Sequence, residues 1–425
     1  MLKAIFVWIL YAVSASYSVV GLPSTVSGDQ EVKALLRWAI ESGATFDDRQ
    51  IVRLANASDP NSLRGVFAKA DIEAGALLIE IPWELVVTAS RDSTGDVRCS
   101  SIAAIDAYLS QASAKPYGRL LLNSIPDLPF SWPSEAQARL RKLLGEDFPP
   151  FDLDRRDAWW TRCSSNSKGI APSNNALRLA IARAAAIRAW PDNSISDNAT
   201  WLTLLPLYDL YNHRNGVWHN TRVVGSVGKP LQMFAHRRIS AGEQLYLTYG
   251  SGSDRLFENY GFVENLPQRW TIRTDSLPVS EGSTHKTSSM INGAKDKITF
   301  DIDQIASDSS KELSSQYKVT WRSGAPTTAQ RIALGSKLGE LRVRMHMAAN
   351  DSTFDRGSDP RTDLTWQYAE SVERALSTAL TAAAGEASGG WKFPYLRALN
   401  LFLGVALVTK VLHLSRGQAD KRHLN

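Results

Sequence analysis

A chain of 425 residues has room for two or three domains at about 150 residues each. Its 48 Lys and Arg against 43 Asp and Glu leave a net charge of +5. The charges are spread along the chain with no run of about five or more of one sign, which excludes a nucleic-acid-binding arm and leaves open a basic face for an acidic protein partner. Two cysteines, Cys99 and Cys163, are too few for a disulfide framework or a structural zinc set. One bridge in an oxidising compartment and two free thiols both fit that count.

The N-terminus, "MLKAIFVWILYAVSASYS", sets Lys3 before an apolar run from Ala4 to Val13 and then small residues Ser14, Ala15 and Ser16. Basic start, apolar core and small-residue end are the order of a signal peptide over residues 1–16. The alternatives are an uncleaved anchor or a buried helix. In a cell with a complex plastid the same peptide serves as the first half of a bipartite plastid signal. Three triplets, at Asn56, Asn198 and Asn350, fit the glycosylation pattern.

Residues 51–88 read as short strands, with "GVFA" and "ALLIEIP" β-rich and with Asp59-Pro60 and Glu73-Ala74-Gly75 as turns. From about 100 to 190 the pattern turns helical, through "SSIAAIDAYLSQA", "SEAQARLRKLLGEDF" and "NNALRLAIARAAAIRAW", with Ser134 as an N-cap. Strand signals return at 202–208, 231–236 and 244–249. Beyond "NLPQRW", Ile298, Phe300 and Ile302 alternate as in a strand, and Leu334, Leu338, Leu341 and Met345 share one helical face. A further helix is expected near 364–384. The plan is α+β: a β-rich domain split by a helical insert, then a mostly helical C-terminal domain.

The C-terminal stretch Trp391 to Leu414 is apolar, with Trp391, Phe393 and Tyr395 as an interfacial belt. Arg397, Asn400 and Lys410 interrupt it, whereas a span wants about 20 apolar residues. An amphipathic surface helix is the stronger expectation, and a membrane anchor the other.

Three distant stretches carry the chemistry: "LRGVFAKADIEAGALLIEIP", "LLPLYDLYNH" and "FAHRRISAGEQLYLTYGSGSDRLFENYGFVEN". Each alone says little. Arg64-Gly65 is an ordinary turn, an Asn-His pair ends many loops, and "YGF" is common in cores. In this order and spacing they resemble the SET-domain protein methyltransferases, in the branch of the plant Rubisco large-subunit lysine methyltransferase and the actin-histidine methyltransferases. The resemblance covers about residues 45–265, including the insert's "PYGRLLLNSIPDLPFSWPSEAQARL". Residues 270–385 lie where that family keeps a helical substrate-binding domain.

The resemblance implies S-adenosyl-L-methionine as methyl donor, no metal, and a protein as substrate. It implies a cofactor pocket from Arg64, Gly65, Val66, Asn212 and His213, holding the donor largely through main-chain bonds, with Phe262 beside the adenine. His213 is then a binding residue and not a base. Tyr249 of "LTYG" matches the tyrosine at the methyl-transfer point. Tyr260 lines the channel for the target side chain, and Asp209 faces that target. Arg183 of "IARAA" matches the arginine of the family's "SRAF", although Ala182 and Ala185 replace the flanking serine and phenylalanine. An aromatic channel suits lysine transfer because desolvation favours the neutral amine, whose lone pair the reaction needs.

The cysteine-rich zinc tail of histone-directed SET enzymes is absent, so a non-histone protein is the expected target, with lysine ahead of histidine. A SET-fold binding module without activity is the competing reading. A monomer is expected, with no nucleic-acid partner. Membrane association would run through the C-terminal segment, and localisation follows the secretory signal, or is cytoplasmic if that signal is not one.

Overall fold

The computed structural model describes residues 26–56, 58–59, 62–90, 96–145, 161–163, 172–188, 200–250, 252–274, 297–304 and 317–387. The expected signal peptide at 1–16 and apolar segment at 391–414 lie outside these residues, so neither is addressed. No helix among the described residues is long and apolar enough to cross a membrane. The described residues divide into two compact units: Met1–Ala138 with Phe151–Arg269, and Arg139–Pro150 with Trp270–Asn425.

The first unit carries the β-rich part. One four-stranded sheet has the order β1 (Thr45–Phe46), β4 (Leu77–Ile81), β9 (Leu231–Ala235), β8 (Thr221–Val224). A second has the order β2 (Gln50–Leu54), β3 (Arg64–Ala68), β10 (Gln244–Leu247), β7 (Asn212–His213). Most ladders are antiparallel, but β10 and β7 run parallel, pairing Tyr246 with Asn212 and Leu247 with His213. Every residue of β3 is buried, as expected of a central strand with both faces covered. The core gathers Val66, Ile72, Leu78 and Ile79 with Leu204, Leu205, Leu210 and Leu245 from the distant motifs.

The helical insert is present. The helix α1 (Val26–Glu41) precedes the sheets, and α2 (Val97–Leu109), α3 (Pro116–Asn123), α4 (Ser134–Leu144) and α5 (Asn174–Ala182) follow β4. Asp96 caps α2 by accepting from the Arg98 and Cys99 amides, and Pro116 opens α3 where its missing N–H costs nothing. Two expectations are corrected here. The helix over "NNALRLAIARAAAIRAW" stops at Ala182, and Ala185–Arg188 (β5) pairs antiparallel with Thr200–Thr203 (β6). The strand expected at 202–208 ends at Thr203, because Pro206 interrupts the ladder and Leu207 turns left-handed, with φ of 68°. The fully buried Leu207 side chain holds this turn.

Helix α6 (Ser253–Tyr260) ends at Gly261 in the left-handed conformation, φ 72°. A Cβ there would stand 2.8 Å from the Asp127 carbonyl oxygen, so only glycine serves. Cys99 and Cys163 form a disulfide across 64 residues of sequence, resolving the open question of their pairing.

The second unit begins with a three-stranded sheet, β11 (Gln268–Arg273), β12 (Lys297–Gln304) and β13 (Tyr317–Trp321), and continues with α7 (Thr328–Ala349) and α8 (Pro360–Ala387). Ile298, Phe300 and Ile302 are buried on one face of β12 as their alternation requires. Leu334, Leu338 and Leu341 are buried on α7, which starts from a Thr327–Gln330 capping box. Within this unit, Arg139 pairs with Asp359 at 2.9 Å and Lys142 with Asp351 at 2.6 Å.

Because the bridge constrains a long loop of the unfolded chain, reduction or Cys163→Ser is expected to cost about 2–5 kcal/mol in unfolding free energy. Urea denaturation with and without reductant measures it, and an unchanged midpoint would count against a structural role for the bridge.

Candidate functional site

The site forms because β10 is paired on both sides. Antiparallel pairing sets Leu245 against Val66 of β3, and parallel pairing sets Leu247 against His213 of β7. The Asn212 side chain locks the arrangement by donating from Nδ2 to the Arg64 carbonyl at 2.7 Å. The strands approach closely at Gly65: a Cβ there would fall 2.1 Å from the Gln244 side-chain Nε2 and 2.9 Å from Asn212 Nδ2, so both side chains would have to shift. Arg64, Gly65, Val66, Asn212 and His213 are therefore brought together. Arg64 and Val66 are buried in the sheet rather than displayed.

The His213 ring is fully enclosed, and both nitrogens are committed. Nδ1 accepts from the Tyr249 amide at 3.0 Å, and Nε2 lies 3.2 Å from Glu264 Oε2. An imidazole nitrogen that accepts an N–H carries no proton, so the proton sits on Nε2 and is donated to Glu264. The side chain is thus committed within the protein. Glu264 also accepts from Asn215 Nδ2, at 2.9 and 3.1 Å, and from Ser253 Oγ at 2.6 Å. Asn215 Oδ1 in turn accepts from Thr248 Oγ1 at 3.1 Å, which accepts from the Gly250 amide at 3.1 Å.

Beyond this network lies a cavity of about 540 Å³, lined among others by Arg183, Tyr208, Asp209, Tyr249 and Tyr260. Four of the residues selected from the sequence thus share one wall. The Tyr249 and Tyr260 rings stack at 4.5 Å, and His213 lies 4.8 Å from Tyr249. Phe262 is buried behind them, 6.0 Å from His213 and 6.3 Å from Tyr260, and is not part of the cavity lining. The stack supplies a wall of π faces suited to a cation.

Electrostatically the cavity resists charge. Burial, and the neighbouring Tyr260 and Tyr208, hold the Tyr249 hydroxyl far above its ordinary range, so it stays protonated and acts as a hydrogen-bonding group. Burial raises the Asp209 carboxyl to about 6, opposed by Arg183 and by the Tyr117 hydroxyl, which donates to Oδ2 at 2.7 Å. Arg183 caps the end of α5, is 8% exposed, donates to the Ser124 carbonyl at 3.1 Å, and keeps its Nε without a hydrogen-bond partner.

Sequence reasoning missed Tyr117, Tyr208, Asn215, Ser253 and Glu264. Tyr208 stood in plain view in "LLPLYDLYNH". The others gave no local signal, because their partners are 11 to 92 residues away.

The Asp209 carboxyl is expected to titrate with a midpoint near pH 6, and Tyr117→Phe to move that midpoint upward by removing a bond to the ionised form. A folded-state value above the unfolded one means that ionisation penalises the fold. The penalty is absent below about pH 4 and complete above pH 6. Asp209→Asn should therefore stabilise the protein more, relative to wild type, at pH 8 than at pH 4. Urea unfolding at the two pH values checks this, and an equal difference at both would contradict it.

Residues 63–250 match the family model of the SET domain. No curated protein sequence matches the chain. Among solved structures it is similar to the SET domain of LSMT bound to lysine and AdoHcy, at 16% identity, 87% of this chain and 95% of that one, with a TM-score of 0.45. It is likewise similar to Rubisco LSMT bound to AdoMet, at 15% identity over 84% and 92% of the two chains, TM-score 0.45. Methyllysine-bound LSMT with AdoHcy follows at 14% identity over 84% and 92%, TM-score 0.44. The match to the SET-domain model thus covers a little under half of the chain, over residues 63–250.

Proposed function

We propose that this protein is an S-adenosylmethionine-dependent protein-lysine N-methyltransferase acting on a non-histone protein, in the manner of the Rubisco large-subunit enzymes. The observation that carries this reading is Tyr249, which follows β10 of a SET domain and stacks on Tyr260 in the wall of the cavity.

The residues present suit the methyl donor. A cavity of about 540 Å³ lies within the usual range of small-molecule sites, roughly 300–1,000 Å³. The stacked tyrosines offer faces to a sulfonium, and the β3–β10–β7 strands bring the Arg64–Val66 and Asn212–His213 backbones side by side. The donor would supply an electrophilic methyl carbon, its methyl–sulfur bond breaking to leave a neutral thioether, so the protein must chiefly orient a nitrogen. Tyr249 offers its protonated hydroxyl near the reacting centre, and Tyr260 narrows the entry. Desolvation by these rings favours the neutral lysine whose lone pair forms the new carbon–nitrogen bond. Asp209, ionised above about pH 6, draws the ammonium in before its proton is lost to solvent.

The second compact unit, which has its own core around Trp270, Tyr368 and Phe300, is proposed as the substrate-binding domain at 270–385. The Cys99–Cys163 bridge supports an oxidising compartment and hence the secretory reading of residues 1–16.

S-adenosylmethionine at about 100 times its dissociation constant should stabilise the protein by about 2.7 kcal/mol, read as a thermal shift. Tyr249→Phe should reduce radiolabelled methyl transfer into host extract by about 100-fold, the usual loss for one preorganised donor at a reacting centre. No thermal shift and no transfer from the wild type would favour a SET-fold binding module instead.

A further inference from the structure

We infer that Glu264 is a positioning residue for Tyr249, holding that tyrosine's backbone through His213 on one side and Asn215 on the other. The inference rests on the proposed role of Tyr249, and its test separates the two.

Tyr249 sits in the short segment that leaves β10, where ladder pairing has ended at Leu247. A residue in such a segment has no strand neighbour to fix its φ and ψ. Two side chains supply that restraint. His213 accepts the Tyr249 amide hydrogen at Nδ1, and Asn215 accepts the Thr248 hydroxyl, which itself receives the Gly250 amide. The segment is thus held at the Thr248 side chain and at the Tyr249 and Gly250 amides.

Neither gripping side chain is self-sufficient. Imidazole accepts at Nδ1 only in the tautomer with its proton on Nε2. Asn215 presents Oδ1 to Thr248 only if its NH₂ group is turned the other way. Glu264 meets both conditions with one carboxylate. Its Oε2 takes the Nε2 proton of His213, and its two oxygens take the Asn215 NH₂ group. Ser253 Oγ fills a further acceptor position on Oε1, so the carboxylate is held from α6 as well. Glu264 is 4% exposed, and this dry setting makes each of its bonds directional and costly to lose.

Glu264 does not line the cavity, and it acts through the tautomer and orientation of its partners. With it removed, His213 would be free to place its proton on Nδ1, turning the acceptor for Tyr249 N–H into an opposing donor. The ring of Tyr249 would then leave its stack on Tyr260.

The test uses the full chain with ¹⁵N-labelled histidine, in wild type, Glu264→Ala and Glu264→Gln, with the His213 signal assigned by its loss in His213→Asn. At pH 8 the wild-type Nδ1 should give the shift of an unprotonated nitrogen. Glu264→Ala should give a mixture of tautomers, and kcat for methyl transfer should fall on the order of 100-fold, the scale of a misplaced catalytic group. Binding of S-adenosylmethionine should change less than about threefold, since its proposed main-chain contacts are kept. Glu264→Gln retains an oxygen for Nε2–H and should restore the single tautomer and most of kcat.

An unchanged Nδ1 signal in Glu264→Ala, or equal losses in kcat and donor affinity, would overturn the positioning role. If Glu264→Ala does not fold, Asn215→Ala cuts the second arm alone. It should lower kcat while leaving the His213 tautomer intact, and full activity there would overturn the two-armed grip. If the wild type shows no methyl transfer, the tautomer measurement still decides what Glu264 does, and only the catalytic reading fails.

Discussion

The parallel pairing of β10 with β7 is the constraint on which the site depends. It spans two residue pairs, Tyr246 with Asn212 and Leu247 with His213, and joins segments that are otherwise unrelated in sequence. So short a ladder contributes little by itself, since each net hydrogen bond is worth about 1 kcal/mol. Side chains reinforce it. Asn212 reaches across to the Arg64 carbonyl, and Asn220 both donates to the Gln244 carbonyl and accepts from the Tyr246 amide. Buried amides that bridge strands in this way are costly to misplace, so the crossing is specific although it is short.

From that crossing the geometry of the cavity wall follows. Once His213 is set against Leu247, its ring lies under the next residues of the same chain, and Tyr249 is the one whose amide it meets. Tyr249 then has Tyr260 as its stacking partner because α6 ends at Gly261 and turns back there. Burial keeps both hydroxyls protonated, raising Tyr260 to about 12 and Tyr249 further. The cavity is therefore an aromatic enclosure with one titratable carboxyl near neutrality, Asp209, and one enclosed arginine, Arg183. Under the proposed function such a site would orient and desolvate a nitrogen rather than supply a strong general base.

Much of the fold was legible from local pattern. The alternation in "KITFDIDQI" and the leucines of α7 are periodicities that burial enforces, and both elements are present. The failures have local causes. "ARAAAIR" is alanine-rich and favours helix by propensity, yet Ala185–Arg188 is a strand because pairing with Thr200–Thr203 outweighs a preference worth tenths of a kcal/mol per residue. "LLPLYDL" is apolar enough for a strand, but Pro206 and the left-handed Leu207 break it into a turn that carries Tyr208 and Asp209 to the cavity.

The sequence by itself supplied the residue types, Arg183, Asp209, Tyr249 and Tyr260 among those that line the cavity, and the order of the three motifs that carry Asp209, Tyr249 and Tyr260. Those are choices of residue type and spacing, written locally in the chain. The tertiary structure alone decided what His213 does with its two nitrogens, which side chains crowd Gly65, that Cys99 meets Cys163, and that Glu264 gathers His213, Asn215 and Ser253. Each of these depends on contacts between residues far apart in the chain. No periodicity, propensity or motif encodes such contacts, because they come into being only when the strands cross.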